Sequence, residues 1–223
     1  MNQKILIIVY LLTFIFPNAR WNFQADGEFL EYQENNMTIN KLTKNVQVFN
    51  DSLYLRTDEA YNYKGMSKLH LYGNTQMISK TDTLLCDSMI YWMDKDSLIA
   101  YGEVTLKQLD RKLDAKTLEF WETKGYRGSS FIANGEVSII SLDKTIQASN
   151  ISYDDMTQKM ILSENATILS GNRELFGNNI NIQFNDSLIS TINVSGDAKA
   201  HNITHAKINK NSTDKKKFID IML

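Results

Sequence analysis

Two histidines four residues apart, His201 and His205, could share one face of a strand and offer imidazoles to a metal ion. Two ligands without a third do not hold a structural or catalytic metal, so the pair reads as incidental surface histidine. Three aspartates, Asp26, Asp58 and Asp87, recur at one place in successive stretches of the chain and imitate a carboxylate cluster fit for general acid–base work. Lys116, Ser149 and Asn178 take that place further on, so a backbone role at a turn or bulge fits the position better than proton transfer. The single cysteine, Cys86, stands where the corresponding residues elsewhere are small and inward, which marks a buried thiol rather than a nucleophile. The chain has no G-x-S-x-G, no P-loop and no paired-cysteine spacing. Its eight Asn-x-Ser/Thr triplets arise readily in an Asn-rich sequence and matter only for a eukaryotic glycoprotein. The expectation is a protein without catalytic residues, metal or cofactor, in which the positioning elements carry the function.

Those elements repeat. Small-residue markers at Ala25, Thr57, Cys86, Ala115, Ala148 and Gly177 alternate with second markers at Lys44, Gly73, Gly102, Gly135, Glu164 and Gly196. Each second marker is followed by the next first marker at a spacing of 13, whereas the opposite spacing varies from 16 to 20. One connection is held to a fixed length and the other is free to grow. A period of about 30 residues in six copies is the signature of an array whose units cannot bury their apolar faces alone.

Around each second marker apolar residues alternate strictly, as in Leu98, Ala100, Gly102, Val104 and Leu106. Around each first marker the parity slips by one: Leu84 and Cys86 precede Met89 and Tyr91. A one-residue slip turns a regular strand to the wrong face, so the sequence predicts a bulge or sharp bend near Asp87, Lys116, Ser149 and Asn178. The connections are polar and turn-competent, from Ser79-Lys80-Thr81-Asp82 to Asp94-Lys95-Asp96. The architecture expected is all-β, about twelve or more antiparallel strands, two per copy.

Composition narrows the class. A formal net charge of -2 argues against a nucleic-acid binder. At the start, Lys4 precedes an apolar run, Ile5 to Phe16, that Pro17-Asn18-Ala19 ends. The run is short for a transmembrane span and suits a signal peptide over 1–19, with an uncleaved inner-membrane anchor as the alternative. The repeat domain is placed at 23–205, followed by a flexible tail at 206–223.

The pairing of Leu84-Leu85-Cys86-Asp87-Ser88-Met89-Ile90-Tyr91 with Gly102-Glu103-Val104-Thr105-Leu106 and Gly135-Glu136-Val137-Ser138-Ile139 resembles the OstA-like domain family of periplasmic lipopolysaccharide-transport proteins. The resemblance covers about Phe23 to Ala200; Lys44 and Glu164 depart from its glycine. It implies a bent, partly open antiparallel β-jellyroll whose apolar interior takes lipid A acyl chains. It also implies end strands that pair with other jellyrolls, or head-to-tail with a second copy, to bridge inner and outer membranes across the periplasm. On this expectation the trough is lined by Leu84, Met89, Tyr91, Leu98, Leu118, Phe120, Phe131, Ile151, Tyr153 and Leu162, and assembly falls to Phe29, Leu30, Ile192, Val194 and Ala198. The competing reading is a structural or adhesive extracytoplasmic β-solenoid with a closed core and no lipid cargo.

Overall fold

The computed structural model describes residues 21–122, 129–142, 144–185 and 188–201. The expected signal segment at 1–19, the tail at 206–223, His205 and the connection through Lys124-Gly125 lie outside them. Every regular element among the described residues is a strand: β1 Asn22–Gln24, β2 Phe29–Glu34, β3 Met37–Phe49, β4 Tyr54–Tyr63, β5 Lys68–Ile78, β6 Asp82–Trp92 and β7 Ser97–Gln108. The series continues with β8 Arg111–Glu122, β9 Ser129–Ser141, β10 Lys144–Asp154, β11 Lys159–Ser170, β12 Arg173–Asn185, β13 Leu188–Ser195 and β14 Lys199–His201. They form one 14-stranded antiparallel sheet in which β3 to β13 neighbour one another in chain order. The expected two strands per copy are present, and the extra ones arise at the ends. At the N-terminal edge β1 and β2 share the outer side of β3, and at the C-terminal edge β13 and β14 share that of β12.

Alternation explains the local structure. In β7, Leu98, Ala100, Val104 and Leu106 are buried while Ile99 and Thr105 between them are half-exposed. Consecutive antiparallel pairing places the short connections of constant length, such as Leu109-Asp110 between β7 and β8, at one end of the strands. The connections that vary, such as 93–96 between β6 and β7, lie at the other end. The two-residue connection Asn35-Asn36 between β2 and β3 has φ of 51° and 62°, the hairpin geometry that asparagine tolerates.

The expected mid-strand irregularity exists in every copy, but the inserted residue is on the other strand. The pairing jumps from Leu85↔Thr105 to Ser88↔Tyr101, leaving two residues of β6 opposite three of β7. The same jump separates Ala148↔Val137 from Asn150↔Asn134. The extra backbone therefore sits at the second markers, not at Asp87, Lys116, Ser149 or Asn178. It takes left-handed conformations at Lys44-Asn45, Gly73-Asn74, Gly102, Gly135-Glu136, Glu164-Asn165 and Gly196-Asp197. Strict alternation in the sequence masked this, because the apolar residues on both sides of the bulge point inward. The residues named for the bend lie across it: Asp58 accepts from Asn74 Nδ2 at 2.8 Å, and Asp26 from Asn45 Nδ2 at 2.8 Å. These aspartates brace the bulge through side-chain hydrogen bonds.

Because the sheet is single, its inner face must be covered by itself. The bulges line up from strand to strand, and bulges bend the strands that carry them. The sheet folds along this row into two leaves, one from the halves that meet the constant turns and one from the halves that meet the variable turns. Trp21, which precedes β1 at a constant-turn end, packs edge-on against Tyr91 at a variable-turn end of β6, with ring centroids 5.8 Å apart. The inner faces thus meet as one continuous apolar core from Leu42 to Ile192. Full burial of each Leu, Ile or Phe contributes about 1.5–3 kcal/mol.

Candidate functional site

All ten residues expected to line the trough lie on the inner face, each no more than 2 % exposed. Their register orders them into two rows that run across the strands. One is Met89↔Ala100↔Leu118↔Ala133↔Ile151↔Leu162. The next, nearer the variable turns, is Tyr91↔Leu98↔Phe120↔Phe131↔Tyr153↔Met160. Leu84 belongs to the opposite leaf, paired with Leu106 and Met77. Large and small residues alternate from Met89 to Ile151 in the first row, and the second is largely aromatic, with Tyr153 contacting Phe131 and Phe184 at centroid distances of 6.2 and 6.1 Å. The rows form an apolar strip across the strands within the buried core.

Polar groups border the strip at the variable-turn lip. Tyr91 donates its hydroxyl to Asp96 Oδ1 at 3.2 Å, and Tyr153 donates to Asp155 Oδ1 at 3.2 Å. Burial, then the neighbouring carboxylates, push both phenols well above the ordinary tyrosine value. They remain neutral donors at every physiological pH. Asp155 is held further by Gln158 Nε2 at 3.1 Å, and its backbone N–H donates to Ser130 Oγ at 3.0 Å. Cys86 is buried in the same core, and desolvation first, then Asp87, pushes its thiol up to about 12.

The edges differ from each other. On β2, Phe29 pairs with inward Leu42, and Leu30 with Lys41 on the outer face. Phe29 is 59 % exposed and Leu30 49 %. Phe29 also lines an open cavity of about 490 Å³ at the N-terminal edge, together with the apolar Phe23 and Leu42 and the polar Gln24, Asp26, Asn45 and Gln47. At the other end Ile192 is buried against Ile182, and Val194 pairs with Ile180 and covers Gly177. Ala198 corrects the expectation: it lies in the break between β13 and β14, where the left-handed Gly196-Asp197 pair interrupts the strand. His201 ends β14, edge-on to Phe176 with centroids 6.2 Å apart. Among the described residues no three His, Cys, Asp or Glu side chains gather as a metal site.

A row that the sequence reading passed over lies at the constant-turn lip. Asp82, Gln108, Arg111, Ser141, Lys144, Ser170 and Arg173 are lateral partners in series. Each has the inward parity of the buried residue two positions away, as Arg111 has of Leu113.

Against known families, residues 83–188 match the model of the LptA/(LptD N-terminal domain) LPS transport protein. Residues 83–188, a little under half of the chain, are similar to that family. The matched stretch runs from β6 to the first residue of β13, so it contains the middle copies and every residue of the two apolar rows. Among solved structures the chain is similar to LptH, the LptA homologous periplasmic component of the conserved lipopolysaccharide transport device from Pseudomonas aeruginosa. That likeness has 15 % identity and a TM-score of 0.43, over 64 % of this chain and 94 % of that one. No curated protein sequence matches the chain.

Proposed function

We propose that this protein is a periplasmic carrier that shelters the acyl chains of lipopolysaccharide between its two leaves and passes them along the apolar strip toward the outer membrane. The observation that carries the reading is the pair of registered apolar rows within the OstA-like stretch, running across the strands and bordered by a seam of turns. Acyl chains enter where the lips part. Exchanging leaf-on-leaf contact for leaf-on-acyl contact keeps the apolar surface out of water, so the hydrophobic term changes little. The exposed inner-face Phe29 and the cavity beside it continue the strip to the N-terminal edge. Pairing of that edge with the C-terminal edge of a second jellyroll would extend the path between membranes.

Site-specific photocrosslinking tests the reading. A photoreactive residue at Phe120 is expected to capture lipopolysaccharide, and the same residue at the outward, exposed Glu119 is not. Equal capture at both positions, or none at Phe120 in a folded protein, would refute the sheltered strip and favour a closed structural sandwich.

A further inference from the structure

We propose that the constant-turn lip is a phosphate-binding rail that holds the anionic head group of an acylated ligand, with Arg111, Lys144 and Arg173 as its cations. The inference rests on the acyl-binding reading above and gives that ligand a polarity and an orientation.

The argument starts from position. Arg111 pairs laterally with Gln108 and Ser141, Lys144 with Ser141 and Ser170, and Arg173 with Ser170. Each cation stands two strands from the next, about 10 Å at ordinary strand spacing. Two such side chains reach one phosphate between them. The residues that separate the cations are serines, whose hydroxyls donate to phosphate oxygens as readily as they accept. From Gln108 to Arg173 every member of the row is able to donate, and arginine forks match phosphate geometry in bidentate fashion.

Acids stand near the row as well. Asp82 ends it on the far side of Gln108, where burial raises its carboxyl toward the neutral form. Asp110 is in the adjoining turn, with Oδ1 3.8 Å from Arg111 Nε. At the opposite lip Asp96 and Asp155 are engaged by Tyr91 and Tyr153. An amphiphile whose chains lie between the leaves therefore meets cations on one lip and carboxylates on the other, so an anionic head settles on the constant-turn side. The rail is confined to the later copies, since the corresponding residues in the first two are Trp21 and Leu53.

Binding of dodecyl phosphate and of dodecyl glucoside to the full chain, each below its micelle concentration, separates the rail from the strip. The intact protein is expected to hold dodecyl phosphate at least tenfold more tightly. The triple variant Arg111→Gln, Lys144→Gln, Arg173→Gln is expected to lose that preference, at about tenfold per cation in direct contact with the phosphate, with dodecyl glucoside unaffected. Raising salt is expected to weaken only the phosphate ligand, a measurement on the unmodified protein that decides the matter if the variant does not fold. Equal binding of both amphiphiles overturns the rail and leaves the strip standing. Failure of both to bind overturns the strip and the rail with it. Inorganic phosphate binding as tightly as dodecyl phosphate overturns the head-group assignment in favour of a free-anion site.

Discussion

Asp87 lies directly over Gly102: a Cβ on that glycine would fall 2.0 Å from the carboxylate Oδ2. The contact joins the first marker's neighbour on β6 to the bulge on β7, and it recurs as Asp58 over Gly73, Lys116 over Gly135 and Asn178 over Gly196. The two marker series are thus one constraint seen from both strands.

Replacing Gly102 by alanine is expected to destabilise the protein on two counts. Its φ of 94° costs a side chain about 1–2 kcal/mol, and Asp87 must move. Gly65, with φ of 84° and nothing within 4 Å of a Cβ, carries only the first cost. Urea denaturation is expected to rank Gly102→Ala well below Gly65→Ala in stability; equal midpoints would refute the close approach.

Glu164 takes the same bulge position with φ of 63° and an exposed side chain. The substitution Glu164→Gly removes left-handed strain and adds backbone freedom to the unfolded chain, so a net gain of about 0.5–1 kcal/mol is expected. A lower melting temperature would show that Glu164 contributes a contact worth more than its strain.

Acid titration tests Asp82. Burial, opposed by hydrogen bonds with Thr81, Gln108 and Ser79, raises its carboxyl above the ordinary range, and its Oδ1 has no hydrogen-bond partner. A raised native value means stability that is full below the ordinary carboxylate pKa and lost as pH climbs through the native value. Asp82→Asn is therefore expected to stabilise the protein at pH 7 and to make no difference near pH 3. A variant less stable at neutral pH would contradict this.

Cys86 reports on the leaves. With its thiol pushed up to about 12, it holds two to three orders of magnitude less thiolate at pH 8 than a free thiol, roughly in proportion to the shift. Alkylation is expected to be very slow in the folded protein and fast in urea. The thiol's preference for its proton is a stability contribution complete below the ordinary thiol value and lost as pH rises toward 12. Rapid labelling at pH 8 without denaturant would mean that the leaves part unaided.

A proline at Val194 probes assembly. β13 is an outermost strand, and proline removes a backbone donor from it. The expected result is weaker association by sedimentation with the strand signal of the middle copies retained. Unchanged association would exclude this edge from the contact.

Much of the fold was legible because one face of every strand is buried, and burial writes alternation into the sequence. The copies, both turn classes and all ten inward residues came from that signal. The strand bearing the bulge did not, because Ala100 and Val104 stay in phase across Gly102 and the extra backbone costs no apolar position. Ala198 was misplaced for a related reason: small residues on both sides of Gly196 imitate continued alternation. The cationic lip was within reach of the same counting. Four residues before each first marker stand Trp21, Leu53, Asp82, Arg111, Lys144 and Arg173, a position ignored because it is polar, although the parity makes it inward.

The constant phase of the bulges has a consequence for how such a chain can change in size. Each copy adds two strands, or about 10 Å, to the seam, and its contacts are chiefly with its immediate neighbours. Duplicating or deleting one cassette of about 30 residues therefore alters the length of the apolar strip by a fixed increment and leaves its cross-section unchanged. The molecule is a gauge that evolution can reset one notch at a time.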